Sequence, residues 1–219
     1  VHLVMLADND ALDVLTVRSL DDGGAWESNV HNLTSGDGAL MHTAPVVGTS
    51  NDPAYPAVWV AYDYEYQHPV HGQERDLRFA YSSDGGKNWN KHRLLSSDAG
   101  VDEWVADLAG ARGVANRWVN VAYSYDPRLA NGYQRNVMWQ YSCGGLPLSW
   151  SPQRIVNDTD ASAPQPDRPL VLLSPGAPGA GSGVIYGGAG RLNLYFSAPW
   201  LTASLPAASV TGAESVAAG

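Results

Sequence analysis

Tyr81-Ser82-Ser83-Asp84-Gly85-Gly86-Lys87-Asn88-Trp89 decides the fold of this chain. An apolar run ending in Phe79-Ala80-Tyr81 enters a turn whose glycines take positive φ without steric cost. Asp84 is placed to accept hydrogen bonds from the N–H groups of its own turn, closing an Asx-type loop. Trp89 then restarts an apolar strand, and its ring is expected to fold back over the turn. The stretch therefore reads as a β-hairpin with an aromatic latch. The pattern recurs as Ser19-Leu20-Asp21-Asp22-Gly23-Gly24-Ala25-Trp26. A degraded copy runs from Ser142 through Cys143-Gly144-Gly145 to Trp150.

The leading serines stand at 19, 82 and 142, in steps of 63 and 60 residues. Self-similarity at a nearly fixed period is the mark of a repeat architecture. Val60-Ala61-Tyr62-Asp63-Tyr64 aligns with Val121-Ala122-Tyr123-Ser124-Tyr125, and Arg75–Ser82 aligns with Arg135–Ser142. Leu192–Ser197 opens a fourth copy with no Asp-Gly-Gly after Ser197.

The pattern S-x-D-x-G-x-(T/N)-W resembles the Asp-box, or BNR repeat, of sialidases and other β-propellers. Ser19, Asp21, Gly23 and Trp26 match it, as do Ser82, Asp84, Gly86 and Trp89. Of the third copy only Ser142 and Trp150 remain, with Gly144 in the aspartate position. The resemblance implies an all-β propeller of four-stranded antiparallel blades. The box joins the two outer strands of each blade, on the face away from the ligand, so Asp21 and Asp84 are read as structural.

Composition agrees with an all-β domain. Aromatic and β-branched residues fall in short runs, with 23 Gly and 14 Pro. Twenty-two acidic against 13 basic residues give a net charge of −9, which disfavours phosphate-backbone binding to nucleic acid. No apolar run reaches the ~20 residues of a membrane helix. The single Cys143 allows no intrachain disulfide. Val1 at the start implies a processed or excerpted chain. The triplets Asn32-Leu33-Thr34 and Asn157-Asp158-Thr159 fit glycosylation sequons, a common chance pattern. Extracellular or cell-surface location rests mainly on the resemblance.

Strands are expected at Val1–Ala7, Ala11–Arg18, Glu27–Leu33, Ala44–Thr49, Ala57–Tyr64, Arg75–Tyr81, Lys91–Leu95, Trp104–Ala109, Trp118–Tyr125, Arg135–Tyr141, Gln153–Val156, Pro169–Ser174, Gly183–Tyr186 and Arg191–Ser197. The propeller blades occupy residues 1–202, and 203–219 form an Ala/Ser/Gly-rich tail. Two complete copies, an opening one without its inner strand and a final one without its outer strand make about three and a half blades. A closed ring needs at least ~4. Self-association or further chain segments are therefore expected at both ends.

If the boxes lie on one face, the loops on the other carry function. The candidate ligand-face residues are Glu65, Tyr66, His68, His71, Glu74, Arg75, Asp126, Arg128, Tyr133 and Arg135. Glu65–Glu74 is read as a long loop. In such a loop His68, His71 and Glu74 are expected to be solvated polar groups, with no metal and no cofactor. Tyr62, Tyr64, Tyr66, Tyr123, Tyr125 and Tyr133 are expected to pack between blades rather than to stack on sugars. Arg75, Arg135 and Arg168 are weighed as a carboxylate clamp. Glu65, Glu74, Asp102 and Asp126 are weighed as general acids or bases. Sialidases also carry an Arg-Ile-Pro motif, which this sequence lacks. No catalytic residue is assigned.

The favoured reading is an extracellular module that binds glycan or protein, or builds a larger assembly, without catalysis. A sialidase-like glycoside hydrolase fragment is one alternative. A structural subunit of an extracellular filament or envelope is the other.

Overall fold

The computed structural model describes residues 1–8, 12–50, 54, 56–110, 119–127, 136–142, 150–156, 166–173, 182–188 and 194–197, the last three segments as backbone alone. The tail at 203–219, Cys143, the second sequon and Arg128, Tyr133 and Arg135 lie outside the described residues.

All regular structure among the described residues is β. The strands are β1 (His2–Leu6), β2 (Val14–Arg18), β3 (His31–Asn32), β4 (Met41–Thr49), β5 (Val58–His68), β6 (Gly72–Ser82) and β7 (Asn90–Ser96). They continue with β8 (Val101–Gly110), β9 (Val119–Pro127), β10 (Asn136–Ser142), β11 (Arg154–Ile155), β12 (Pro166–Leu173), β13 (Ser182–Gly188) and β14 (Leu194–Ser197). The chain makes four successive antiparallel meanders: β1-β2-β3, β4-β5-β6-β7, β8-β9-β10-β11 and β12-β13-β14. The two central meanders are four-stranded blades. Among the described residues the first has no inner strand and the last no outer one. This is a partial β-propeller of about three and a half blades.

β5 reads VWVAYDYEYQH, alternating β-branched and aromatic residues, and such residues fit a pleated, half-buried surface. Its two faces serve different neighbours. Trp59 and Ala61 join Leu77, Phe79, Leu108, Val121 and Tyr123 in a core between the two complete blades. Val60 and Tyr62 join Val14, Leu33 and Ala80 in a core against the first meander. A one-residue slip would exchange these faces, so burial on both sides fixes the register.

The inner strands β4 and β8 approach backbone to backbone. A Cβ on Gly48 would strike the Leu108 side chain, and one on Gly110 would strike the Thr49 carbonyl oxygen.

The hairpin corners behave as structural turns. Ser82 Oγ donates to Asp84 Oδ1 at 2.7 Å and accepts the Gly86 N–H at 2.8 Å. Asp84 also accepts from Lys87 N–H, Asn88 N–H and the Asn88 side-chain amide, at 3.1, 2.9 and 2.6 Å. At the first corner Ser19 donates to Asp21 at 2.6 Å and Ala25 N–H donates to Asp21 at 2.7 Å. Asp22 holds φ +57°, where the second corner has Gly85 at +71°; a short polar side chain tolerates that region.

At the third corner, among the described residues, buried Ser142 Oγ has no hydrogen-bond partner. Ser151 holds that corner instead: its N–H donates to the Tyr141 carbonyl at 2.7 Å, its Oγ accepts the Tyr141 N–H at 3.1 Å, and its carbonyl accepts Gln140 Nε2–H at 2.9 Å.

The tryptophan latch differs from one corner to the next. Trp89 Nε1 donates to Gly86 O at 3.1 Å, so the ring folds over its own turn, and its face lies 6.5 Å from the His31 ring of the preceding meander. Trp150 packs edge-on against Phe79 of the preceding blade at 5.5 Å. Trp26 belongs to the first meander, no described sheet precedes it, and it is 43% exposed. Burial of this ring thus comes from the neighbouring blade rather than from its own turn.

Two expectations are corrected. Glu27–Leu33 forms only the two-residue strand β3, because Asn32 accepts the N–H groups of Thr34 and Ser35 and so starts a turn. Glu65–Glu74 is not a loop. β5 and β6 pair without interruption from Val58↔Ser82 to His68↔Gly72. Gly72, at φ +83°, closes a three-residue turn that fixes the ends of both strands.

Candidate functional site

The extended β5–β6 hairpin lifts the candidate residues clear of the corners, onto the opposite end of the blade. Strand register aligns them across two blades. Glu65 pairs with Arg75, Arg75 with Asp102 of β8, and Asp102 with Asp126 of β9. The Arg75–Asp102 pairing is parallel and joins the two complete blades. Glu65, Arg75 and Asp126, named from sequence, therefore share one cross-strand row with Asp102. Tyr66 and Glu74 form the adjacent pair, and His68 and His71 flank the tip.

Most of these side chains are engaged. Arg75 Nε donates to Glu65 Oε2 at 2.9 Å, and its guanidinium lies 5.5 Å from the Trp104 ring centre. Gln73 Nε2 donates to the other Glu65 oxygen. Arg75 N–H donates to Asp102 Oδ1 at 3.2 Å. Tyr66 O–H donates to Glu74 Oε2 at 3.0 Å, and Gly100 N–H donates to Glu74 Oε1 at 2.9 Å. Glu65 and Glu74 are buried. Of the three weighed clamp arginines, only the Arg75 side chain is among those described, and it serves Glu65.

Residues two apart on one strand face the same way. Tyr62, Tyr64, Tyr66 and His68 therefore stand in line on one face of β5. Tyr64 and Tyr66 stack at 5.5 Å, Tyr66 meets His68 edge-on at 6.2 Å, and His68 stacks on His71 at 4.6 Å. Arg78 caps the inner end, 3.3 Å from the Tyr64 ring centre. Tyr62, Tyr64 and Tyr123 are buried between blades, while Tyr66 and Tyr125 are half-buried and His71 is exposed. The ladder thus runs from core to solvent.

Two acids missed by sequence reading stand out. Asp76 lies on the Tyr64 face, and burial raises its carboxyl to about 6 against the opposing pull of Arg78, with Glu74 adding repulsion. Glu103 is fully buried between the blades, where desolvation raises it to about 8 although Ser96 donates to it. Ser96 in turn accepts from Gln153 Nε2 at 2.6 Å. Burial also raises Tyr66, and raises Tyr125 to about 12. The alternation along β6 could have revealed Asp76, since it pairs with Tyr64. No sequence signal marks Glu103, whose burial depends on the meeting of two blades.

A separate cleft of about 460 Å³ opens by the corners, between the first and second meanders, lined by His2, Thr49, Pro56 and Gly85. His2, partly buried beside the N-terminal amine and Arg18, is held down at about 4. This cleft is remote from the aligned row.

Neither a protein-family model nor a curated protein sequence matches the chain. Solved structures do. The α-L-arabinanase of Penicillium chrysogenum complexed with arabinobiose is 14% identical, with a TM-score of 0.56 over 90% of this chain and 56% of that one. The α-L-arabinofuranosidase of Fusarium graminearum with an iminosugar inhibitor is 15% identical, with a TM-score of 0.55 over 90% of this chain and 55% of that one. A Trypanosoma rangeli sialidase is 14% identical, with a TM-score of 0.45 over 88% of this chain and 32% of that one. The chain spans little more than half the length of the first two. At these identities the likeness shows the fold alone: this chain is similar to the first two of these enzymes in its β-propeller architecture.

Proposed function

We propose that this chain is an extracellular Asp-box propeller segment whose loop end binds carbohydrate without hydrolysing it. The observation that carries the reading is the aromatic ladder Tyr64–Tyr66–His68–His71, which reaches solvent on the face of the hairpin that also carries Glu74 and Asp76, while Glu65 and Arg75 stand on the other face. Aromatic faces take the apolar face of a sugar, and flanking charged groups take its hydroxyls. Glu74, which pairs with Tyr66 on the ladder face, is buried and hydrogen-bonded to the protein itself, which favours holding a ligand over moving protons. The Ser-Asp corners have the hydrogen bonding an Asp-box needs, and the solved neighbours include an α-L-arabinanase complexed with arabinobiose. The exposed Trp26 and the incomplete first and last meanders favour completion of the ring by further chain segments or a second copy.

Calorimetry with arabino- and sialo-oligosaccharides, paired with assays for released sugar, tests the reading. Saturable binding without turnover, weakened in Tyr66→Ala, supports it. Absence of binding across a glycan array sinks it.

One observation favours hydrolysis instead. Asp76, half-protonated near pH 6, neighbours Glu74, and an acid beside a carboxylate is what glycoside hydrolysis uses. Release of sugar that is abolished in Asp76→Asn would establish that second reading.

A further inference from the structure

The geometry points to a divalent transition-metal site of the Zn²⁺ class on the tip of the β5–β6 hairpin, formed by His68, His71 and Glu74. One ligand atom from each of the three lies within 4.8 Å of the other two. A tetrahedral metal with bonds of ~2.0–2.2 Å holds its ligand atoms about 3.5 Å apart, so the three must draw together by up to about 1.3 Å to close on it. Two imidazoles and one carboxylate make a borderline-soft set that suits zinc and disfavours calcium or magnesium, which take oxygen ligands.

The continuous pairing of β5 with β6 gives the cluster its definition. His68 ends β5, Gly72 at φ +83° starts β6, and Glu74 follows one pleat later on the same face. The histidines are thus held by a three-residue turn rather than by a ten-residue loop. Glu74 is fully buried, and each of its oxygens accepts a single hydrogen bond, from Tyr66 O–H or Gly100 N–H. Each oxygen keeps a lone pair for a cation while those donors hold the carboxylate in place. This is how outer-shell groups orient a metal ligand. Gly100 also leaves room beside His71: a Cβ there would sit 3.7 Å from the His71 Cε1 and Nδ1 atoms.

Two further adjustments are needed. His68 Nδ1 accepts the N–H groups of Val70 and His71 at 3.2 and 3.1 Å. The ring must give up these two long bonds, or turn over, to offer a lone pair to the metal. His71 is exposed, and its ring must turn out of the stack with His68 to face the metal.

Equilibrium dialysis of the full chain against ZnCl₂, after chelator treatment, tests the site. The expected result is one zinc per chain, with affinity falling about tenfold or more in His71→Ala and in Glu74→Gln. Binding unaltered in His31→Ala, a histidine in β3, is expected alongside. Substituting Co²⁺ should give the visible absorption bands of a four-coordinate nitrogen–oxygen site, and His71→Ala should abolish them. Circular dichroism checks that Glu74→Gln folds; His71→Ala, altering an exposed side chain, keeps the test decisive if it does not. No zinc binding, or binding unchanged by His71→Ala, overturns the assignment. No sugar enters the experiment, so its outcome is independent of carbohydrate binding.

Discussion

The two ends of the second blade hold carboxylates in opposite electrostatic states. At the corner end, burial works to raise Asp84, yet the donors of Asn88, Ser82 and Lys87 outweigh it and bring the carboxyl to about 2. At the loop end, burial raises Asp76 to about 6 and, between blades, Glu103 to about 8. The residue type is nearly the same. What differs is the number of N–H and O–H donors aimed at the charge. The corner supplies four to one carboxylate from within its own turn. Glu103 is buried with its Oε2 lacking a partner among the described residues. One end thus spends its aspartate on shape, and the other keeps acids poised.

The contrast breaks most visibly in Asp84→Ala. Loss of a carboxylate that organises four donors should lower unfolding free energy by about 3 kcal/mol, read from a urea midpoint. Because the folded-state value lies below the unfolded one, the contribution of Asp84 is fully present above pH ~4 and disappears as pH falls toward 2.

Glu103→Gln should act with the opposite sign. A raised carboxyl stabilises the fold fully below its unfolded value, near 4.5, and that stabilisation is lost as pH climbs through about 8. The variant should therefore gain on wild type between pH 5 and 8, by about 2 kcal/mol. Parallel pH profiles for the two proteins would refute the inter-blade burial of this acid.

Comparing equivalent latches sharpens the corner side. Trp89→Ala should cost about 1.5 kcal/mol and Trp26→Ala about half that, since only Trp89 packs on a preceding sheet. Equal thermal shifts would contradict the neighbour-burial account. Asp76→Asn should give the smallest effect. Its gain over wild type should develop between pH ~4 and 6 and stay below about 1 kcal/mol, with solvent screening at the hairpin end.

Much of the blade architecture was legible because it rests on local chemistry. Ser82-x-Asp84-x-Gly86 declares its turn through hydrogen bonds spanning four residues or fewer, and β5 declares its strand through alternating large residues. The length of the β5–β6 hairpin was not legible. Glu65-Tyr66-Gln67-His68-Pro69 looks like a polar loop, yet its polar groups find partners across the hairpin: Gln73 for Glu65 and Glu74 for Tyr66. Those pairings depend on the register of β5 on β6, which is set by burial of both faces and by the turn at Gly72. Asp102 and Arg75 meet across two blades, and Glu103 is buried only where those blades press together, so neither relation has a local signature. The first sequon likewise reads as a surface acceptor, whereas Asn32 donates to Asp13 at 2.8 Å and helps shape a turn.

Gly48 and Gly110 bring the inner strands of adjacent blades within backbone contact. That contact acts as a spacer of nearly zero thickness near the hub. It governs how steeply consecutive sheets fan outward from one another. A methyl group added at either glycine would act as a wedge, prising the two inner strands apart and breaking the alignment of the Glu65–Asp126 row that spans both blades.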